Sequence, residues 1–185
     1  MDFSQFREIL KVMLTVCGSG LIGNKSLLEL ENICFLLSPG KTEIIASDGY
    51  CMAHINTAIN SFATEETEIL ISREEVEQII AKDYSEFTLL CVGNMIMINE
   101  MCFRNKAGKY PDCRKIMRHS YETDDKKCLI DPKYFRVISD IVDLFEHKKL
   151  STKFKSQGVR SPMYVTSEIE HEFVTDISIY IMPIK

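Results

Sequence analysis

The chain has 185 residues, 45% of them hydrophobic and 26% charged, with a formal net charge of −5. This is ordinary globular composition, and a chain of this length buries most of the surface it would expose unfolded, which excludes a mainly disordered protein. The acidic balance argues against a protein that coats DNA with its whole surface. No apolar run approaches the roughly 20 residues that span a bilayer, and no secretory signal is read at Met1–Leu10.

Phe3, Phe6, Leu10, Met13, Leu14 and Cys17 recur at helical spacing and predict a first helix from about Ser4. Asp2 and Gln5 are placed to form its capping box, and Arg7 and Lys11 lie one turn apart on the opposite face. Leu28–Leu37 and Glu43–Thr57 read as strands around the turn Ser38-Pro39-Gly40-Lys41, and Asp48-Gly49 reads as a tight turn and nothing more. Ile69–Ser72 reads as a short strand ending in an N-cap. Ser72 and Glu75 make the capping box of a second helix, whose apolar stripe is Val76, Ile79 and Ile80. Phe87–Val92 and Met95–Asn99 pair around Gly93-Asn94. Cys128–Asp131 repeats the strand-then-cap pattern 59 positions after Ile69–Ser72. Asp131-Pro132 then opens a third helix with the buried face Phe135, Ile138, Ile141, Val142 and Phe145. Met163–Thr166 and Ile177–Met182 are the last strands. One helix per about 62 residues suggests a repeated helix-plus-strands module. The fold class expected is α+β, with a few helices laid on antiparallel sheet.

Catalytic chemistry is not legible. There is no phosphate-binding glycine loop, no GxGxxG, no HExxH and no G-x-S-x-G. The seven cysteines include no CxxC and read as reduced, buried thiols of a cytoplasmic protein; none has zinc spacing to the four histidines. His171, between Glu170 and Glu172, suits an exposed segment, and Asp124-Asp125 beside Lys126-Lys127 reads as a solvated linker. No enzyme, metal or cofactor is expected. Basic residues nevertheless gather at Arg104, Lys106, Lys109, Arg114, Lys115 and Arg118, and again at Lys133, Arg136, His147, Lys148 and Lys149, so local attraction to phosphates is compatible with the acidic whole.

Four segments in order resemble the bacterial DNA polymerase III β subunits, the sliding clamps. Ile45–Ala53 (IASDGYCMA) resembles the ATDGHRLA strand and turn of that family. Lys109–Met117 (KYPDCRKIM) resembles its GRFPDYRRVLP connector, Gln157–Val165 its GAMRPFVI strand pair, and Ile179–Lys185 its VMPMR terminus. Tyr50-Cys51-Met52 stands where the family has His-Arg-Leu, and Lys185 where it has Arg. The resemblance implies the DNA-clamp fold, built of βαβββ half-modules with helices on one face of antiparallel sheets. Residues 1–118 resemble a complete second clamp domain, and 119–185 the second half of a third.

The resemblance further implies a ring that encircles duplex DNA without reading bases and tethers polymerase, clamp loader or other clients through an apolar peptide-binding cleft. Arg7, Lys11, Arg73, Lys82, Lys133 and Arg136 are the expected DNA-facing residues. The cleft is expected at Leu30, Ser47, Gly49, Tyr50, Met52, Pro111, Ile116, Tyr180, Met182, Pro183 and Ile184. A six-domain clamp contains twelve half-modules. Three per chain make a homotetramer the expected oligomer, favoured over a trimer or dimer. The alternative is a clamp-like regulator or decoy that binds client peptides, or another clamp, without encircling DNA.

Overall fold

The computed structural model describes residues 2–18, 21–22, 25–26, 28–112, 131–143, 151–156, 163–168 and 174–182. Helix α1 spans Phe3–Val16, and its start is local chemistry. Asp2 Oδ1 accepts the Gln5 N–H at 2.8 Å, and Gln5 Oε1 accepts the Asp2 N–H at 3.2 Å. Its buried stripe is broader than the one expected, because Ile9, Val12 and Val16 are buried with Phe3, Phe6, Leu10 and Met13, while Leu14 is half-buried. Helix α2 spans Arg73–Ile80 and carries the expected Ser72–Glu75 box. Helix α3 spans Lys133–Asp143, with the Lys133 N–H on Asp131 Oδ1 at 3.0 Å. Contact of α1 with both other helices and with the sheet beneath explains its wide apolar face.

Strands β1 (Leu21–Ile22) and β2 (Lys25–Ser26) form a small antiparallel ladder. The main sheet has seven antiparallel strands in the order β10-β11-β12-β5-β4-β3-β6. These are β3 (Asn32–Ser38), β4 (Lys41–Ser47), β5 (Cys51–Thr57), β6 (Thr67–Ser72), β10 (Ser151–Ser156), β11 (Met163–Glu168) and β12 (Val174–Ile181). A separate three-stranded sheet holds β7 (Leu89–Val92), β8 (Met95–Ile98) and β9 (Met101–Arg104). Helix α2 is followed by the antiparallel run β7–β9 and α3 by β10–β12, while α1 is followed, after the β1–β2 ladder, by β3–β5 with β6 leading into α2, the α+β arrangement expected of a repeated module. One apolar core joins α1, α2 and α3 to one face of the main sheet and to Leu89, Ile96, Ile98 and Phe103 of the small one.

Several boundaries differ from expectation for identifiable reasons. Leu28–Glu31 is a 3₁₀ turn rather than strand, because Asn32 Nδ2 donates back to the carbonyls of Leu28 (3.1 Å) and Glu29 (3.3 Å). Glu43–Thr57 is two strands, broken where Gly49 adopts φ +84°. Strand β7 begins at Leu89 rather than Phe87, whose ring lies 4.5 Å from that of Phe6. Among the described side chains of α3, Tyr134, Val137 and Ile138 are buried, Ile138 as expected, and Phe135 is 51% exposed. Tyr134 takes the place expected of Phe135, its hydroxyl donating to Asp48 Oδ2 at 2.9 Å. Asp48 is therefore more than a turn residue: its Oδ1 also accepts the N–H groups of Tyr50 (2.8 Å) and Cys51 (2.6 Å). Cys17, Cys34 and Cys51 are buried as expected, but Cys102 is exposed. Cys128–Ile130, Phe145, Cys113, His171, Asp124 and Asp125, and the side chains of Ile141 and Val142, lie outside the described residues.

Burial and the Asp48 carboxylate both push the Tyr134 hydroxyl upward, so it stays a donor. Tyr134→Phe removes that bond and leaves the ring packing. We expect a loss of about 1–2 kcal/mol in urea unfolding. Asp48→Asn leaves a single acceptor oxygen for the Tyr50 and Cys51 N–H groups and turns an amide donor toward Tyr134, so it is expected to lose at least as much.

Candidate peptide-binding seam and helix layer

The strands of two sequence-distant modules meet where β5 pairs with β12. Cys51 lies opposite Ile181, Met52 opposite Tyr180, Ala53 opposite Ile179 and His54 opposite Ser178. The Met182 N–H donates to the Tyr50 carbonyl at 2.7 Å and extends the pairing. Alternation then sends Cys51, Ala53, Ile179 and Ile181 into the helix-side core, and Met52 and Tyr180 to the other face.

That outer face is not simply solvated. Leu30, Cys34, Leu36, Ile45, Met52, Leu70, Tyr110 and Tyr180 form a second apolar cluster, and Tyr164 stacks on Tyr180 with ring centroids 4.8 Å apart. The segment after β9 covers part of it. Asn105 plugs the edge of β6, accepting the Leu70 N–H at 2.7 Å and donating to the Glu68 carbonyl at 3.0 Å. The chain then turns through Gly108, at φ +123°, where a Cβ would meet Glu29 Cγ at 3.1 Å. This brings Tyr110 down on the cluster, its N–H on Glu68 Oε1 at 2.9 Å.

Of the expected cleft residues, Leu30, Met52 and Tyr180 are buried together in this cluster. Ser47 is buried beside them in sequence, its hydroxyl donating to the Cys51 carbonyl at 2.8 Å and accepting the Gly49 N–H at 3.0 Å. Gly49 and Pro111 are exposed. Tyr50 (48% exposed) and Met182 (39%) are joined through the backbone at the end of the seam. Ile116, Pro183 and Ile184 lie outside the described residues. Sequence reasoning missed Cys34, Leu36, Ile45, Leu70 and Tyr110. The available signal was that β3 is apolar at every position from Ile33 to Leu37, the mark of a strand buried on both faces.

A polar ladder runs along the same outer face. His54 Nε2 lies 2.9 Å from Glu43 Oε2, and Lys41 Nζ lies 2.9 Å from Glu43 Oε1. Ser178 donates to Asp176 at 3.3 Å and shares a hydrogen bond with the Tyr164 hydroxyl at 3.1 Å. The register sets Ser178 opposite His54, so a hydroxyl, an imidazole and a carboxylate are neighbours. Ser178 is only 2% exposed and its hydroxyl is committed to Asp176 and Tyr164, so the arrangement offers no substrate access. We read it as structural.

The helix layer carries the expected DNA-facing cations, and most have an acidic neighbour. Arg7 lies 3.6 Å from Asp83 and donates to the Lys82 carbonyl. Lys11 pairs with Glu8, and Lys133 lies 3.8 Å from Asp131 with its ammonium 4.6 Å from the Tyr134 ring centroid. Arg73 has a structural duty: its guanidinium donates to the carbonyls of Leu14 (3.0 Å) and Cys17 (2.7 Å) and so closes the end of α1. Lys82 and Arg136 are exposed and form no ion pair among the described residues. Glu74 and Glu77 are exposed on α2, and Asp143 on α3. The layer is of mixed sign. Lys106, from the basic connector stretch, is spent on Glu75 at 2.7 Å.

Two outcomes follow from these contacts. Arg73→Ala orphans two carbonyls and is expected to destabilise the fold by about 1–3 kcal/mol, readable as a lower urea midpoint. Glu43 is held at about 2, chiefly by its hydrogen bond to His54, well below the ordinary 4.5. A depressed carboxylate stabilises the fold above the unfolded value and loses that contribution as pH falls through the folded one. Wild type should therefore lose about 2–3 kcal/mol more than Glu43→Gln between pH 4.5 and pH 2, since a tenfold difference in proton affinity corresponds to roughly 1.4 kcal/mol.

No protein-family model matches the sequence, and no curated protein does. Solved structures do resemble it. The DNA polymerase III β subunit of Thermotoga maritima superposes with a TM-score of 0.70 at 13% identity, covering 100% of this chain and 64% of its own. The DNA polymerase sliding clamp of Pseudomonas aeruginosa gives 0.70 at 10% identity, over 100% of this chain and 66% of its own. The Helicobacter pylori β clamp bound to a DNA ligase peptide gives 0.70 at 13% identity, over 97% and 63%. The chain thus spans about two thirds of the length of these clamps or a little less. Its fold is that of the sliding clamps.

Proposed function

We propose that this chain is a subunit of a sliding clamp, a processivity factor that surrounds duplex DNA and tethers polymerase and other clients through the outer face of the β5–β12 seam. The observation that carries this reading is the pairing of exposed Tyr50 and Met182 beside the buried apolar cluster of Met52, Tyr180 and Tyr110. It lies where the resemblance puts the client cleft, on a chain with the clamp fold. An extended apolar peptide laid there covers the exposed half of one aromatic and one thioether side chain, each worth roughly 1 kcal/mol on completing its burial. In this reading residues 1–118 form a complete clamp domain and 119–185 half of another. Four copies of the 185-residue chain then supply the twelve half-modules of a six-domain ring. Opening it requires a loader or spontaneous subunit exchange.

A second reading has an observation in its favour. The mixed sign of the helix layer offers less to a phosphate backbone than a uniformly basic lining would, as expected of a regulator that binds client peptides without encircling DNA. Both readings share the seam.

The first test is fluorescence polarisation with a labelled DNA ligase peptide of the kind carried by the Helicobacter pylori clamp. Micromolar binding is expected, with Tyr50→Ala and Met182→Ala each weakening it about tenfold or more, a change of about 1.4 kcal/mol. Equal affinity for wild type and both variants contradicts the seam assignment. Light scattering across a dilution series separates the assemblies: four chains of 21.3 kDa give about 85 kDa, and a persistent monomer contradicts the ring.

A further inference from the structure

We infer that the outer face of the small sheet holds a sulfur-only site for a soft monovalent ion, Cu(I), formed by Met95, Met97 and Cys102. Side chains alternate along β7, β8 and β9. Leu89, Ile96, Ile98 and Phe103 point into the core, with Cys91 and Met101 packed against it. Leu90, Val92, Met95, Met97, Cys102 and Arg104 therefore point the other way. Leu90, Met95 and Met97 are half-buried there, and Val92, Cys102 and Arg104 are exposed. Of the described cysteines only Cys102 is exposed.

The strand register gathers the sulfurs. Met97 lies directly opposite Cys102, and Met95, two residues earlier on β8, lies diagonal to it. The Cys102 thiol donates weakly to Met95 Sδ, with the two sulfurs 3.8 Å apart. At a metal–sulfur distance of about 2.3 Å, as in zinc thiolates, one ion bridges that gap with a sulfur–ion–sulfur angle of about 110°. Neither strand has to move. Directly opposed residues have Cβ atoms about 4.5–5.5 Å apart, and the flexible Met97 side chain brings a third sulfur to the same ion. Zinc spacing does not reveal this set, because two of its three ligands are methionines.

The donors choose the ion. Two thioethers and one thiolate are soft ligands carrying a single negative charge, the combination that selects Cu(I). No His, Asp or Glu shares this face of the three strands, and Arg104 stands opposite Met95. Harder divalent ions find neither their ligands nor enough negative charge. Leu90, opposite Met97, and Val92, opposite Met95, give the site an apolar flank that limits water. On binding, the Cys102 S–H bond breaks, a sulfur–copper bond forms and the proton passes to solvent, with no change of oxidation state. The site belongs to the small sheet and not to the β5–β12 seam, so it stands or falls apart from the proposed function.

Anaerobic titration with Cu(I), in competition with the chromogenic chelator bathocuproine disulfonate, measures the affinity. One tightly held ion per chain is expected, undisturbed by an equal concentration of Zn(II). Other cysteines bind Cu(I) as lone thiols, so the methionines are decisive. The double variant Met95→Leu with Met97→Leu keeps the apolar bulk and the thiol, and is expected to weaken the tight site about tenfold or more. Its urea midpoint, expected to stay near that of wild type, separates loss of ligands from loss of fold. Cys102→Ser is expected to abolish the site. X-ray absorption of the Cu(I)-loaded wild type is expected to show three sulfur neighbours, and fewer in the double variant. Equal affinity of wild type and the double variant overturns the inference. So does a tight site that survives Cys102→Ser, or a copper shell containing nitrogen or oxygen in place of the thioethers.

Discussion

Residues 51–57 and 174–181 lie more than a hundred positions apart, and their antiparallel pairing makes two modules into one sheet. Without it, β5 and β12 would each be a bare edge beside a half-built core. With it, Ile177, Ile179 and Ile181 join the core that α1 organises, and α3 can reach Asp48 through Tyr134. The β4–β5 turn is accordingly held from three directions: by its own Asp48 and Ser47 hydrogen bonds, by the Tyr134 hydroxyl, and by the Met182 N–H on Tyr50. The candidate client surface therefore sits beside a cross-braced turn. That suits a binding site whose side chains must be presented without an ordering cost.

The two faces of the sheet are built for different tasks. The helix face is sealed by aliphatic and aromatic side chains, with Phe3, Phe6, Phe35 and Met13 fully buried. The outer face is sealed only in part, by Tyr110 from the connector and by the Tyr164–Tyr180 stack, and it ends in the exposed pair Tyr50 and Met182. Beside this runs the ladder from Lys41 through Glu43 to His54 and from Asp176 through Ser178 to Tyr164. His54 and Ser178 are the buried members of this ladder, and their polar atoms are satisfied by its other, partly exposed groups.

Local chemistry was legible in the sequence and long-range chemistry was not. The Asp2–Gln5 and Ser72–Glu75 boxes act within four residues, so α1 and α2 were placed from the sequence nearly to the residue. The stripe of α3 was misread between Phe135 and Tyr134, because the deciding partner is Asp48, 86 positions away. Strand β10, Ser151–Ser156, alternates polar residues with a single Phe and raised no apolar signal. The candidate seam was reached through resemblance of short segments, IASDGYCMA and YIMPIK among them, and not through periodicity. The floor of that seam escaped notice because β3 is buried on both faces, and a continuous apolar run does not say which residues face which side. The duty of Arg73 in closing α1 was equally invisible, since its acceptors, Leu14 and Cys17, carry no side-chain signal.

The most direct measurement of the central claim is topological. Dilute chains would be concentrated in the presence of a nicked circular duplex, which lets rings close around it without a loader, and passed through gel filtration at high salt. Half of the sample would be linearised first. A sliding clamp predicts that protein travels with the circle and is lost from the linear DNA, since closure and not affinity retains it. Equal behaviour with circle and line, whether both retain protein or neither does, would contradict the account.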